Sequence, residues 1–307
     1  MSRLRTKFSR NTTTSSSPTS TKIITIADLN NLKKDKTILI AGFPGPGLVG
    51  SISTSYIIDK LEMYQIAFVE SHYISPGVIF IDGKLRHPFR LYANKQGNVC
   101  VLVCEAPIML DGTHFVLDAV MDWAIKNSIE EVMVLDGIPV QGIPDSDRKP
   151  VILASENMEK NNRKEIIVSD QQKENDEMQS SDKETNSQSN FNRSAIEDSS
   201  KKYTTFIGGI AGGLLSACLS NQIPCAAILI PSSSGIPDPE GASLLIETFN
   251  NFISDDDLKI ETTQLKEQGQ KLKRQLEQII KAEQEQRTAG SGGQEEGNIS
   301  NHRFMYG

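Results

Sequence analysis

The sequence predicts an α/β protein built on a largely parallel sheet covered by helices on both faces, followed by a C-terminal helix and a flexible tail. Two patterns carry this expectation. Short, near-continuously apolar runs alternate with segments whose apolar residues recur at helical spacing, and the alternation repeats along most of the chain. A third observation is compositional: only 37% of the 307 residues are hydrophobic and 6% aromatic, so polar tracts must dilute an ordinary apolar core.

Residues 1–22 contain no acid, are rich in Ser, Thr and Arg, and carry too few apolar residues for an amphipathic face, which predicts a disordered N-terminal tail. The core is expected over 23–254. Its first clear unit is a strand over Thr37 to Ala41, the turn Gly42-Phe43-Pro44-Gly45-Pro46-Gly47, and a helix through Leu48, Ile52 and Tyr56. Strands follow at Gln65 to Glu70, Val78 to Ile81, Phe89 to Ala93 and Val99 to Cys104. Asp111-Gly112-Thr113, with Asp111 as a candidate cap, then opens an amphipathic helix through Val116, Val120, Trp123 and Ala124. A strand over Glu131 to Asp136, a Gly/Pro-rich turn reaching Pro144 and a strand over Pro150 to Ala154 complete this half.

Residues 155–202 are dominated by Glu, Asp, Lys, Asn, Gln and Ser and cannot bury enough surface to offset ordering entropy, so they read as a disordered polar insertion in a surface loop. The core resumes at Tyr203 to Ile207, enters a helix containing Leu214, Leu215 and Leu219, and adds a buried strand over Cys225 to Ile230. Asp238-Pro239-Glu240 caps a helix reaching Phe252, with Pro at the first helical position. Over 255–287 a helical extension is expected, because Leu258, Leu265, Leu272 and Ile279 recur every seven residues with Leu276 at the accompanying position. Thr262 and Gly269 interrupt that seam, which either lies on its own domain or meets another helix. Residues 288–307 have flexible-linker composition and end in His302-Arg303-Phe304-Met305-Tyr306-Gly307.

Several function classes are disfavoured. A net charge of -7, from 32 basic and 39 acidic residues, supplies no overall field for a nucleic acid. The longest apolar stretch, Phe206 to Leu219, is too short to span a bilayer, so no membrane partner is expected, and its Gly208-x-x-x-Gly212 spacing reads as a tight helix-on-sheet contact. Cys100, Cys104, Cys218 and Cys225 lack close C-x-x-C spacing and read as small buried hydrophobes with no metal role. Without a secretory apolar region at the start, a reducing cytoplasm is the expected setting.

Gly45-Pro46-Gly47-Leu48-Val49-Gly50 is formally G-x-G-x-x-G after a strand, with Glu70 near the position of a ribose-binding acid. That leaves a nucleotide-binding enzyme as an alternative. Pro44 and Pro46, however, remove two backbone donors that a pyrophosphate would use, which favours a structural turn and no cofactor. His72, His87, His114 and His302 are scattered with no nucleophile elbow, and Glu105 and Asp111 flank a strand end where α/β ligands often bind but with a capping and loop role as the alternative for Asp111, so no catalytic residues are assigned.

Taken together, Gly42 to Gly50, Leu135-Asp136-Gly137-Ile138-Pro139, Gly208 to Leu215 and Asp238-Pro239-Glu240-Gly241-Ala242 resemble the proteasome assembly chaperone family, in particular its archaeal members. The resemblance covers roughly 23–153 and 203–265. It implies an α/β core, a homo-oligomer, no established catalysis and, as partner, the α-subunits of the 20S proteasome. Some members of the family end in a hydrophobic-Tyr-any motif that inserts between α-subunits, and by position it falls here on Met305, Tyr306 and Gly307. The resemblance thus implies a chaperone that docks this tip into the α-ring to promote assembly, with a proteasome activator or adaptor using the same tip as an alternative. The polar insertion departs from the compact family pattern, and Gly241 stands where a second small residue such as Ala is usual.

Overall fold

The computed structural model describes residues 21–29, 32, 37–81, 83–145, 147–158, 206–252 and 258–290. Residues 1–20 of the predicted tail, 159–202 of the predicted insertion and the tip Met305-Tyr306-Gly307 lie outside the described residues.

Eight strands form the main sheet: β1 (Lys22–Thr25), β2 (Thr37–Gly42), β3 (Tyr64–Glu70), β6 (Phe89–Ala93), β7 (Val99–Cys104), β8 (Ile129–Val140), β9 (Val151–Ala154) and β10 (Cys225–Ser233). Their order is β1-β3-β6-β7-β2-β8-β10-β9. The centre, β7-β2-β8-β10, is parallel, and antiparallel pairs extend it at both edges. Two further strands, β4 (Ile79–Ile81) and β5 (Lys84–Arg86), pair only with each other as a hairpin beside the sheet. The expected strand over Val78 to Ile81 is therefore present but belongs to this separate ribbon.

Among the described residues, five helices cover the sheet: α1 (Val49–Lys60), α2 (Thr113–Lys126), α3 (Gly209–Ser220), α4 (Pro239–Asn250) and α5 (Thr263–Gly290). Alternation along the strands divides their side chains between two cores. On one face Leu39, Ala41, Leu102, Val132 and Val134 meet Val116, Val120 and Trp123 of α2 and Leu214 of α3. On the other, Ile40, Val101, Met133, Leu135 and Ile228 meet Val49 and Ile57 of α1 and Leu245, Ile246 and Phe249 of α4. Both faces of the parallel centre are thus buried, which is why its strands read as continuous apolar runs. Met158, four residues into the tract read as polar insertion, is buried in the second core.

Several local expectations change. The N-cap of α2 is Gly112, with no side-chain cap, so Asp111 does not cap that helix. The glycine-rich start of α3 packs on α2: a Cβ on Gly213 would lie 2.6 Å from Leu117 Cδ1, and one on Gly212 would strike the Ile207 carbonyl. Gly213 thus permits a close approach to α2, whereas Gly208 and Gly212, the pair whose spacing predicted a helix-on-sheet contact, meet Phe206 and Ile207 of their own segment. Phe206, expected to re-enter the core, is 91% exposed.

Candidate functional site

Three of the sequence motifs converge at the C-terminal ends of β2, β8 and β10, the edge where ligands and partners of parallel sheets usually bind. The turn after β2 passes through Gly47, whose φ of 64° lies in the left-handed region. A Cβ there would also sit 2.8 Å from Ser232 Cβ and 2.9 Å from Asp238 Cβ, so conformation and space both require glycine. The Asp238 backbone N–H donates to the Gly47 carbonyl at 2.8 Å, which ties the turn to the start of α4.

Asp238 is the hub of this edge. Its Oδ1 accepts the Gly241 N–H at 2.8 Å, capping α4 as the sequence predicts, and its Oδ2 accepts the Ser232 hydroxyl at 2.9 Å. Arg148 Nη2 donates to both carboxylate oxygens at 2.6 and 2.8 Å, and both side chains are buried. Sequence reasoning missed Arg148, which lies in an irregular segment with no periodicity to mark it.

On the other side of the turn, a Cβ on Gly45 would lie 2.5 Å from Asp136 Oδ1. Burial pushes the Asp136 carboxyl above its usual range, and the Gly137 N–H that donates to Oδ1 offsets only part of this. A pyrophosphate at the turn would therefore face a carboxylate at Gly45, and the Gly45 and Gly47 carbonyls and the Leu48 amide are engaged within the fold. Glu70 is no substitute for a ribose acid, because β3 is separated from β2 by β6 and β7. The arrangement clamps β2, β8 and α4 together.

The remaining candidates for chemistry are occupied elsewhere or isolated. Glu105 pairs with the buried Arg90 at 2.6 Å, and Arg90 Nε also donates to the Tyr92 hydroxyl at 2.9 Å. His87 stacks on Phe68 with ring centroids 3.7 Å apart, His72 and His114 are exposed, and His302 lies outside the described residues. All four cysteines are buried, as expected. Burial pushes the Cys100 thiol up to about 12 and the Cys104 thiol up to about 11, far from the range of an activated nucleophile. Cys218 Sγ contacts Met121 Sδ at 3.9 Å and Cys225 Sγ lies 4.0 Å from the Leu215 carbonyl; the neighbouring Cys225 thiol, with burial, pushes the Cys218 thiol up, while Cys218 pulls the Cys225 thiol down. Among the described residues no group of three or more His, Cys, Asp or Glu is placed to hold a metal ion, and no helix is long and apolar enough to cross a membrane.

The C-terminal helix is clamped to the same edge. Leu258, Ile260 and Leu265 are buried against the second core, and Asn250 locks the approach by exchanging hydrogen bonds with the Ile260 backbone at 2.8 and 3.0 Å. The two residues that interrupt the heptad seam have structural explanations. Thr262 is buried and donates to the Glu247 carboxylate, while Gly269 lets α5 touch the start of α4. The first half of the seam therefore lies on its own domain. Leu272 and Leu276 are half-buried, and Ile279 is 56% exposed, so the apolar stripe continues past the end of its support.

Fold and site define a layered α/β scaffold whose most constrained residues clamp chain segments together, with a long helix leading away toward the C-terminus. The sequence matches the PAC2 family over residues 39–280, and the chain belongs to that family. An uncharacterised protein of Methanocaldococcus jannaschii, MJ0106, is 23% identical over 224 residues, covering 72% of this chain and 76% of that protein. A Thermoplasma acidophilum protein of unknown function superposes with a TM-score of 0.58 at 28% identity, over 86% of this chain and 93% of its own. Pyrococcus furiosus PbaA, an archaeal homolog of proteasome-assembly chaperone, gives a TM-score of 0.62 at 19% identity, over 87% and 95% of the two chains. Pyrococcus furiosus PbaB, an archaeal proteasome activator, gives 0.61 at 17% identity, over 85% and 99%.

Proposed function

We propose that this protein is a cytoplasmic proteasome assembly chaperone that docks Met305, Tyr306 and Gly307 between α-subunits of a 20S ring and promotes ring or particle assembly. The observation that carries the reading is the α5 stem: a PAC2 domain holds the helix through Leu265 and the segment before it through Leu258, and in the sequence a hydrophobic-Tyr-X tip follows the helix. The 17 residues after Gly290 can span at most about 60 Å when fully extended, enough to reach a cleft well away from the domain surface. At the cleft, the Met305 side chain and the Tyr306 ring fill an apolar slot, and a carboxylate on Gly307 pairs with a basic residue. A single such peptide binds weakly. Several displayed from one homo-oligomer gain affinity through effective concentration, which a ring of repeated clefts can use.

The test is reconstitution of 20S particles from separated subunits, followed on native gels. Full-length protein is expected to speed particle formation, and a chain lacking Met305 to Gly307 is expected to leave the rate at its unaided value. The architecture is equally close to that of an archaeal proteasome activator. Faster peptide hydrolysis by finished particles, without any effect on their assembly, would therefore replace the chaperone reading with that one.

A further inference from the structure

We propose that the outer face of the β4–β5 hairpin, together with the segment that opens α2, is the docking surface for a second copy of this chain. This inference deepens the multivalent reading above and rests on it for its role. Phe80 and Leu85 are direct cross-strand partners, so they share one face of the hairpin, and they are 71% and 68% exposed. Val78 lies at the base of the same ribbon and is exposed. The chain before it is tied to the start of α2: Ile74 bridges Ile108, and the Ser75 N–H donates to the Pro107 carbonyl at 3.0 Å. Next to that bridge Met109 is exposed, Leu110 is 93% exposed, and Phe115 is exposed while stacking on Tyr73 at 5.5 Å.

The area favours a protein-sized partner. With a large apolar side chain offering about 150–250 Å² in full, these six residues leave on the order of 700 Å² in water. A standard interface removes about 800 Å² from each partner, and the exposed apolar area of these six residues approaches it. The hairpin adds an independent reason. Two strands with one bare apolar face are marginal in water, and a covering layer supplies what the main sheet does not. A second copy fits because an isologous contact sets the same apolar face on both sides of a two-fold axis, so each hairpin covers the other's partner surface. The chain's own tract 159–205 is the poorer cover, since Glu, Asp, Lys, Asn, Gln and Ser dominate its composition.

The experiment is size-exclusion chromatography with light scattering on the full chain and two variants on different elements, Phe80→Glu with Leu85→Glu, and Leu110→Glu. The full chain is expected to be a multimer. Each variant is expected to self-associate on the order of 100-fold more weakly, with far-UV circular dichroism and melting temperature close to wild type, because these side chains face solvent within one copy. Properly folded variants with the wild-type mass would overturn the surface and leave the multivalent reading standing. A monomeric full chain would overturn both, and protection of the hairpin amides from exchange only when residues 159–205 are present would assign the cover to the chain itself.

Discussion

Gly269 of α5 and Glu240 of α4 meet backbone to backbone: a Cβ on Gly269 would lie 2.6 Å from the Glu240 nitrogen and 2.8 Å from its Cβ. A leucine at 269 would complete the heptad, and in an isolated helix removing the glycine stabilises by about 0.5–1 kcal/mol. The contact reverses that sign. Gly269→Leu is expected to destabilise the chain by about 1–3 kcal/mol through overpacking, read by urea denaturation, and to speed proteolysis between the core and α5. A variant as stable as wild type would show that α5 is not held against α4.

The Arg148–Asp238 pair separates capping from charge pairing. Asp238→Ala removes the cap of α4 and leaves a buried guanidinium without its partner, for an expected loss of about 3–5 kcal/mol. Asp238→Asn keeps an oxygen for the Gly241 N–H and is expected to lose clearly less. Equal losses in the two variants, measured at neutral pH, would place the whole effect in the charge.

Asp136 gives a pH signature. Burial raises its carboxyl pKa in the folded state, so folding favours the protonated form, and the contribution is fully present below the unfolded value of 3.8 and lost as pH rises through the folded value. Asp136→Asn keeps an acceptor for the Gly137 N–H and removes the buried charge. It is expected to melt higher than wild type near pH 7, with the advantage shrinking toward zero as pH falls to 3.8 and below. A constant difference across that range would mean that the carboxyl is not desolvated.

The parallel centre was legible because β2, β7, β8 and β10 are buried on both faces and so read as apolar runs, and the Asp238 cap was legible because capping is local in sequence. Strand order was not: β3 lies three places from β2 although it follows it in the chain, and only long-range pairing decides this. Local patterns also misread residues whose roles depend on a distant neighbour. Thr262 and Gly269 looked like flaws in a seam, yet each answers a particular atom of α4. Phe206 looked like core because apolarity marks interfaces as well as interiors, and the hairpin pair Phe80 and Leu85 carries the same ambiguity. Met305, Tyr306 and Gly307 were singled out by resemblance and position alone.

The central claim is that the tip holds the protein on the ring, and the direct measurement is the affinity of the full chain and of Tyr306→Ala for immobilised 20S α-rings. Loss of the ring's aromatic anchor is expected to weaken each contact by at least about 2 kcal/mol, roughly 30-fold, and multivalency makes the observed loss larger. A tag fused after Gly307, which removes any carboxylate there, is expected to weaken binding as well. Wild-type affinity in Tyr306→Ala, with the variant folded and of unchanged mass, would contradict the account.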